Sequence, residues 1–286
     1  METVWRLVLE GTAVGTVYAL LALGLGLVFG VLNFVNLAHG EVVAVAVYVT
    51  VTAFAVFDSY LLSGLVGFGV ATAFGMAMYG GGLRFIARRS HFLQIVVTFA
   101  IVLVLQNAYL LVFGPEAQSS QLGQTAVVEV FGTRILRARL IAGLVGVALV
   151  VAVAVLVART TFGRSLRAMA ANPFGAEVTG VDSRRTAARA FVVGAALAAA
   201  AGVLIAPFTP TEPHHGLDLT VRAFLIVIIA SPGSTGGILA TAVAVGVFET
   251  VGVSYLPQSI ATSVIYLAII PVLLFRPRGL FAGRTA

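Results

Sequence analysis

The chain has 286 residues, of which 60% are hydrophobic and only 10% are charged. Soluble globular domains carry about 25% charged residues, so this composition excludes a soluble enzyme or binding domain and indicates an integral membrane protein. The net charge of +6 does not indicate a nucleic-acid partner, because the arginines lie beside apolar runs, where they retain loops on the cytoplasmic side of a membrane.

Charge-free runs of sequence predict about eight transmembrane segments in a single membrane domain that covers residues 1–286. The runs lie at residues 11–40, 42–57, 59–83, 90–115, 140–158, 190–211, 223–248 and 250–275. Backbone groups in lipid must be hydrogen-bonded internally, and the alternation typical of barrel strands is absent, so the spans are predicted to be helices. The fold class is therefore all-α, with some spans broken or re-entrant. The first run lacks a basic n-region and is interpreted as a permanent span.

A polar cluster follows the first span and contains Asn33, Asn36, His39 and Glu41. Polar residues inside a membrane are costly and by default indicate function, so all four are candidates for a substrate pathway. The alternative is a turn at the inner surface, in which Asn33 or Asn36 caps the next helix. A metal site is disfavoured, because residues two apart on a helix point in different directions.

The fourth span carries the polar residues Gln94, Thr98, Gln106 and Asn107. Gln94 and Thr98 are four apart and share one helical face. Neutral dipoles suit the passage of a zwitterionic amino acid or a neutral amide, so these four are also pathway candidates. They equally suit hydrogen bonds between helices. The sequence offers no arginine that is expected to be buried and to bind a strongly anionic substrate.

The segment 159–189 contains six arginines between two charge-free spans and is predicted to be cytoplasmic. Helix formers follow Arg164, the pair Asn172-Pro173 can restart a helix, and Gly180 can end it. This spacing predicts a rigid cytoplasmic segment. The alternative is a solvated basic loop that only sets the topology.

Placing the basic clusters inside gives most spans a direction. The predicted directions are inward for 61–83, 140–158 and 258–275, and outward for 91–113 and 190–207. An external segment at 114–139 and an external loop at 207–222 follow. The stretch 223–255 then has to start and end outside, although it is too short for two full spans.

That stretch contains Ser231, Pro232, Gly233 and Ser234, which a continuous helix would not favour. A broken or re-entrant helix pair is therefore predicted. Non-helical backbone at membrane depth is tolerated only where protein or a watery cavity covers it, so Ser231, Gly233 and Ser234 are pathway candidates. Glu249 stands alone between two charge-free runs and is expected near the outer surface rather than as a functional acid.

Small residues recur at helical spacing and allow helices to pack closely in lipid. The three sets are Gly11 with Gly15, Gly194 with Ala198 and Gly202, and Gly236 with Ala240 and Ala244. Packing within the chain is the preferred interpretation, and a dimer interface is the alternative.

Five motifs follow one another along the chain in an informative order. They are NFVNLAHGE at 33–41, a G-R-x-x-R-A and A-x-x-x-G run at 163–182, FVVGAALAAAAGVL at 191–204, a glycine turn at 233–237, and FRPRGL at 275–280. Together they resemble the membrane permeases of branched-chain amino acid ABC importers, of the LivH type. Two features depart from the family: Ser231-Pro232 replaces the usual paired glycines, and the segment 114–139 matches no family pattern.

The resemblance implies a multi-pass permease subunit of the inner or plasma membrane that is not an enzyme. It implies two ABC ATPase subunits that use ATP, a second, paralogous permease, and an external solute-binding protein received by the loop at 207–222, which carries His214 and His215. This chain would bind no cofactor and no metal. The solute would be a branched-chain or other amino acid, or a small amide such as urea.

The segment from 163 to 180 is then expected to be the coupling helix in a groove of the ATPase. The residues implied in coupling are Gly163, Arg164, Arg167, Ala168, Ala171, Asn172, Ala176, Glu177 and Gly180. A stand-alone secondary transporter or channel is the main alternative, because such carriers also have broken helices. Those carriers usually show internal repeats, and none is found here. An intramembrane enzyme is disfavoured, because His39 and Glu41 lack a partner set for a nucleophile or a metal.

Overall fold

The computed structural model describes residues 2–116, 126–130, 132–276 and 279–281. These parts of the chain are helical apart from one short β-hairpin and the connecting segments. Eight helical segments among them are long and apolar enough to cross a membrane. The prediction of an all-α membrane protein with about eight spans is therefore confirmed.

The helices before the hairpin are α1 (Glu2–Leu32), α2 (His39–Phe57), α3 (Tyr60–Met78), α4 (Arg84–Ile86) and α5 (His91–Phe113), with a π-helical turn at Tyr79–Leu83. The hairpin consists of β1 (Val127–Val130) and β2 (Thr133–Leu136). The helices after it are α6 (Arg137–Arg159), α7 (Thr161–Ala171), α8 (Pro173–Val178), α9 (Ser183–Ile205), α10 (His215–Ala230), α11 (Thr235–Tyr255), α12 (Gln258–Leu267) and α13 (Ile269–Phe275). The π-helical turn joins α3 and α4 into one continuous span, and α12 with α13 forms another.

Many of the arginines gather where α1, α4, α6 and α13 end and where α5 and α9 begin. We call this the arginine end of the bundle, and the other the opposite end. Helices α7 and α8 lie at the arginine end, where Arg84, Arg88 and Arg184 line a common cavity. The connection from α9 to α10 and the hairpin lie toward the opposite end.

Helix α1 is the centre of the fold and packs against α6, α9, α10 and α11. Its glycines make this possible, because a Cβ atom on Gly15 would lie 2.6 Å from the Cα of Val243, and one on Gly24 would lie 2.7 Å from the carbonyl oxygen of Gly194. Close packing within the chain is thus confirmed for two of the three small-residue sets. The third set is different, because Gly236, Ala240 and Ala244 are all exposed.

The segment between α1 and α2 turns back into the bundle. Asn33 ends α1 with a φ of 50°, in the left-handed region. The amide of Val35 donates to Gln94 Oε1 at 3.0 Å, and the amide of Leu37 donates to Thr98 Oγ1 at 3.2 Å. Residues 33–38 therefore climb along α5, and α2 begins inside the bundle rather than at its surface.

Helix α10 also begins inside the bundle and has only 16 residues. Its first turn packs on the start of α2, where the amide of Gly40 donates to Thr220 Oγ1 at 2.7 Å. A Cβ atom on Gly40 would lie 1.9 Å from the carbonyl oxygen of Gly216, so no side chain fits at this crossing. Two helix N-termini thus meet in the interior.

The prediction for residues 223–255 is right that the helix is broken in this stretch, but wrong about where the stretch starts and how deep the break lies. Helix α10 begins at His215, within the predicted external loop, and α11 is a full span of 21 residues. The break at 231–234 lies at the arginine end, because the amide of Leu280 donates to the carbonyl oxygen of Ile229 at 2.7 Å. The non-helical backbone is therefore at one end of the bundle and not at its middle.

Glu249 is buried within the bundle, on α11. Its carboxylate lies 2.9 Å from the Arg222 guanidinium, whose side chain is only 14% exposed. Each charge alone would be costly in lipid, but the pair is tolerated inside the bundle. Charge-free runs end at these two residues, which is why the sequence misplaced the spans and predicted no buried arginine.

The described part of the segment 114–139 forms the antiparallel hairpin, in which Val127 pairs with Leu136 and Val130 with Thr133. The sequence did not predict these strands. Residues 117–125 and 131 lie outside the described residues, as do Pro277 and Arg278 of the C-terminal motif. Just after the hairpin, Arg139 forms an ion pair with Glu10 and joins α6 to α1.

Candidate functional site

Helices α7 and α8 follow from local sequence signals at the arginine end. Thr160 Oγ1 accepts from the amide of Gly163 at the start of α7, and Asn172 Oδ1 accepts from the amide of Gly175 at the start of α8. Pro173 occupies the first turn of α8, where its missing N–H costs nothing. Gly180 follows with a φ of 89°, which favours glycine. The predicted helix, restart and stop are all confirmed.

Helix α7 is attached closely to the end of α6. A Cβ atom on Gly163 would lie 1.9 Å from the carbonyl oxygen of Val157. The Arg167 guanidinium donates to that same oxygen, which lacks an intrahelical partner near the end of α6. Leu166 and Met169 are buried beneath α7. A force on α7 would therefore be transmitted directly to a membrane span.

Helix α8 carries an exposed apolar pair that the sequence analysis missed. Phe174 is 76% exposed and Val178 is 72% exposed, and their spacing of four places them on one helical face. Arg164 and Ala171 are also exposed, Ala168 is half-buried, and Ala176 is buried. The sequence did contain a signal for this pair: Asn172 marks the start of a helix, and two apolar residues four apart follow it on one face.

Glu177 also lies on α8 and forms an ion pair of 3.1 Å with Arg88, just after α4. The side chains are 81% and 47% exposed, for Arg88 and Glu177 respectively, so the pair contributes little stability. It nevertheless connects the segment after α6 with the segment after α3.

A second group of polar residues lies where α2 and α10 begin. Glu41 is fully buried, and neither of its carboxylate oxygens has a hydrogen-bond partner among the described residues. The carboxylate packs against the first turn of α10, since a Cβ atom on Gly216 would lie 2.7 Å from Glu41 Oε1. The Tyr109 hydroxyl donates to the backbone oxygen of Glu41 at 3.4 Å.

Four other buried polar atoms on α2, α5 and the connection before α10 also lack partners among the described residues. They are His39 Nε2, Tyr48 OH, Gln106 Nε2 and Thr211 Oγ1. The Tyr48 ring stacks on Tyr109 with 4.9 Å between centroids, and Gln106 Oε1 lies 3.1 Å from His214 Nδ1. We call Glu41 and these four residues the interior polar cluster.

The interior polar cluster is costly as it stands. A buried polar group without a hydrogen bond costs about 1–3 kcal/mol, and a buried ionised group costs more. Such groups are rare in folded proteins and are explained by water, a ligand or a functional rearrangement. The concentration of five of them on α2, α5 and the connection before α10 therefore makes this region a candidate functional site.

The remaining predicted pathway residues have other surroundings. Gln94 uses its amide fully, since Oε1 accepts from Val35 and Nε2 donates to the carbonyl oxygens of Ala87 and Arg89. Thr98 likewise binds the segment of residues 33–38, because its Oγ1 accepts from the amide of Leu37. Asn36 Oδ1 accepts from the amide of Ala38 and shapes the turn before α2.

Five of them lie away from the interior polar cluster. Asn33 is exposed at the arginine end. Asn107 is exposed and donates to the carbonyl oxygen of Leu103 on its own helix. Ser231 and Gly233 lie at the break, beside the end of α1, and Ser234 next to them caps α11 by accepting from Gly237 at 3.2 Å. The structure therefore distributes the predicted residues over several separate places.

Within the described residues, no three His, Asp or Glu side chains are grouped in a way that could hold a metal ion. His214, which the sequence placed in an external loop, contacts Gln106 instead. Tyr48, Thr211 and the Arg222–Glu249 pair were missed by sequence reasoning. The sequence signal for the Arg222–Glu249 pair was the presence of two isolated, opposite charges at the ends of a long apolar run.

Comparisons with known proteins agree with this architecture. Three curated relatives are LivH of Salmonella typhimurium and BraD of Pseudomonas aeruginosa, both high-affinity branched-chain amino acid transport permeases, and a probable LivH of Methanocaldococcus jannaschii. The first two are each 28% identical over 95% of this chain and 93% of the relative, and the third is 29% identical over 96% and 92%. No solved structure matches.

Residues 7–274 match the family described as the permease component of the branched-chain amino acid transport system. This range contains α7, α8, the interior polar cluster and the eight spans, apart from the first residues of α1 and the last residue of α13. The chain therefore belongs to the family of branched-chain amino acid ABC transport permeases.

Proposed function

We propose that this permease works in an importer with two ABC ATPase subunits, a second permease of related sequence and an external solute-binding protein. ATP is used by the ATPase subunits, and this chain does no covalent chemistry and binds no cofactor. Its role is alternating access: it exposes the solute pathway first to one side of the membrane and then to the other. Membership of an ABC permease family supports this arrangement.

The arginine end faces the cytoplasm in this proposal, because basic residues are retained inside during insertion. The segment of α7 and α8 is then the coupling segment, which docks on an ATPase subunit. The observation that carries this step is the exposed pair Phe174 and Val178 on a segment fixed to α6 through Gly163 and Arg167. A loop that only sets topology would need neither feature.

The solute pathway passes the interior polar cluster. Helix α10 begins inside the bundle, and its N-terminus carries a partial positive charge. Once ionised, Glu41 would supply a negative charge beside it. A zwitterionic amino acid carries the complementary pair of charges, whereas urea and other neutral amides carry neither. The names of the relatives, which are branched-chain amino acid transport proteins, agree with an amino acid as the solute.

The solute-binding protein would meet the opposite end, at the connection 206–214 between α9 and α10. This connection is linked to the interior polar cluster through His214 and Gln106, which lie 3.1 Å apart. Thr211 of the same connection is 1% exposed. Movement of this connection would therefore open or close the cluster toward the binding protein.

The test is uptake of radiolabelled leucine by proteoliposomes that contain the complete importer and its binding protein. We expect uptake to require ATP and to disappear when the ATPase subunits carry an inactivating substitution in their ATP site. Liposomes with this chain alone serve as the comparison. ATP-independent leucine flux through them would overturn the proposal in favour of a stand-alone transporter.

A further inference from the structure

A cavity of about 970 Å³ opens at the arginine end and has no role in the proposed pathway. It lies between the end of α1, the π-helical turn with α4, α8 and the start of α9. Arg84, Arg88 and Arg184 line it, and Glu177 is the one acidic residue among its described lining residues. Because Glu177 is paired with Arg88, the charges of Arg84 and Arg184 are left without a carboxylate partner among the described residues.

A buried hydroxyl adds to these charges. Ser183 lines the same cavity, is only 8% exposed, and its Oγ has no hydrogen-bond partner among the described residues. Guanidinium groups and a hydroxyl are the donors that recognise phosphate oxygens. The chemistry of the cavity therefore fits an anionic group such as a phosphate, and not a cationic ligand.

The rim of the cavity is apolar on its membrane-facing side. Phe85 is 63% exposed, and the Arg84 guanidinium lies over its ring at 4.5 Å from the centroid. Helix α3, which precedes the π-helical turn, also exposes Met76, Val66 and Leu62. A ligand with an anionic head and apolar tails would contact both surfaces, whereas a free phosphate ion would use only the arginines.

We propose that this arginine cavity binds the phosphate of an anionic phospholipid, whose acyl chains lie along the exposed face of α3. Retention of basic residues inside explains why arginines are present at this end. It does not explain a cavity that gathers them around a buried hydroxyl. The bound lipid fills the space between α4 and α8, and so it holds the coupling segment in place from the membrane side. This inference does not depend on which solute is carried.

The test uses the purified complete importer and native mass spectrometry, with phosphatidylglycerol and phosphatidylcholine offered in equal amounts. We expect retained phosphatidylglycerol on the wild type, and about tenfold less on the double variant Arg84→Ala/Arg184→Ala, since each basic residue near a membrane surface attracts anionic lipid. Ser183→Ala should give a smaller loss. The preference should also weaken as salt concentration rises.

Arg185→Ala is the matched control. Arg185 is exposed, forms an ion pair with Asp182 and does not line the cavity, yet it carries the same charge at the same end. An equal loss of lipid from this control would mean that only the overall charge matters, and would overturn the proposal. Equal retention of both lipids by the wild type would also overturn it.

Two further arms separate the remaining occupants. If inorganic phosphate binds to the wild type but not to the double variant, and no lipid is retained, the ligand is the free ion and the lipid proposal is wrong. If Arg84→Cys cross-links efficiently to an ATPase subunit while no lipid is retained, the cavity is covered by protein instead. Intact assembly of each variant is checked by size-exclusion chromatography, so that unfolding is not mistaken for lost binding.

Discussion

Arg222 and Glu249 form an ion pair of 2.9 Å that connects helix α10 with helix α11. The Tyr18 hydroxyl joins them, accepting from Arg222 Nη1 at 2.6 Å and donating to Glu249 Oε2 at 2.9 Å. Three helices are thus held together by one polar contact inside an otherwise apolar bundle. Helix α10 is the short one, and it begins at the interior polar cluster, so the contact also fixes the position of that cluster.

Removing one partner of this pair should destabilise the protein strongly. Glu249→Gln leaves the Arg222 charge buried without compensation, and breaking a buried pair in this way costs about 3–5 kcal/mol. We expect a clearly lower midpoint of thermal unfolding in detergent. The exchange Arg222→Glu/Glu249→Arg should recover part of the loss, because the opposite charges meet again. Single variants as stable as the wild type would show that the pair is not formed.

The exposed pair on α8 should matter for coupling but not for folding. Phe174→Ala and Val178→Ala remove apolar surface that is already in contact with solvent, so insertion and stability should stay close to the wild type. If these residues dock on the ATPase, loss of a central apolar contact should reduce ATP-driven uptake about tenfold or more. Uptake and ATP hydrolysis are measured together in proteoliposomes.

Phe248→Ala is the control for that experiment, since Phe248 is 69% exposed but lies on α11, away from the coupling segment. Its uptake should remain normal. Wild-type uptake in both α8 variants would remove the reason for placing the ATPase on this face.

Bulk added to the coupling segment should also separate ATP hydrolysis from uptake. Ala171 is exposed at the end of α7, so Ala171→Trp adds volume to the docking face without a clash inside the chain. Gly180 has a φ of 89°, and Gly180→Val forces a β-branched residue into a conformation that costs about 1–3 kcal/mol. We expect both variants to reach the membrane and to lose uptake, with residual ATP hydrolysis. Gly132→Ala, at the hairpin, serves as a comparison for a positive-φ glycine far from α7 and α8.

The sequence predicted those features that local signals determine. The restart at Asn172-Pro173 and the stop at Gly180 depend on capping and backbone freedom within a few residues, and the structure has both. The number of spans follows from apolar length. The Arg222–Glu249 contact could not be predicted in this way, because it joins residues on different helices, and each charge alone resembles a span boundary.

The same limit applies to the polar residues of α2 and α5. Polarity and spacing identified Gln94, Thr98, Gln106 and Glu41 together, but could not say which of them has hydrogen-bond partners. Gln94 and Thr98 are engaged by the backbone of residues 33–38, which approaches them only after the chain turns back into the bundle. Glu41 has no such partner, and this difference exists only in three dimensions.

That difference leads to a prediction in which stability and transport change in opposite senses. Glu41→Gln keeps the shape of the side chain and replaces a buried carboxyl group whose oxygens have no hydrogen-bond partner among the described residues, so the free energy of unfolding should be unchanged or increased. If Glu41 receives the ammonium group of an amino acid, leucine uptake should nevertheless fall about tenfold or more, because a charge-assisted contact is stronger than a neutral one. Gln94→Glu is the matched control for a residue that has a structural role. It replaces an amide that donates to two carbonyl oxygens by a carboxylate that cannot donate, so it should lower the free energy of unfolding. Normal uptake by Glu41→Gln would show that the carboxylate only packs against α10, whereas reduced stability would show that it has a structural partner after all.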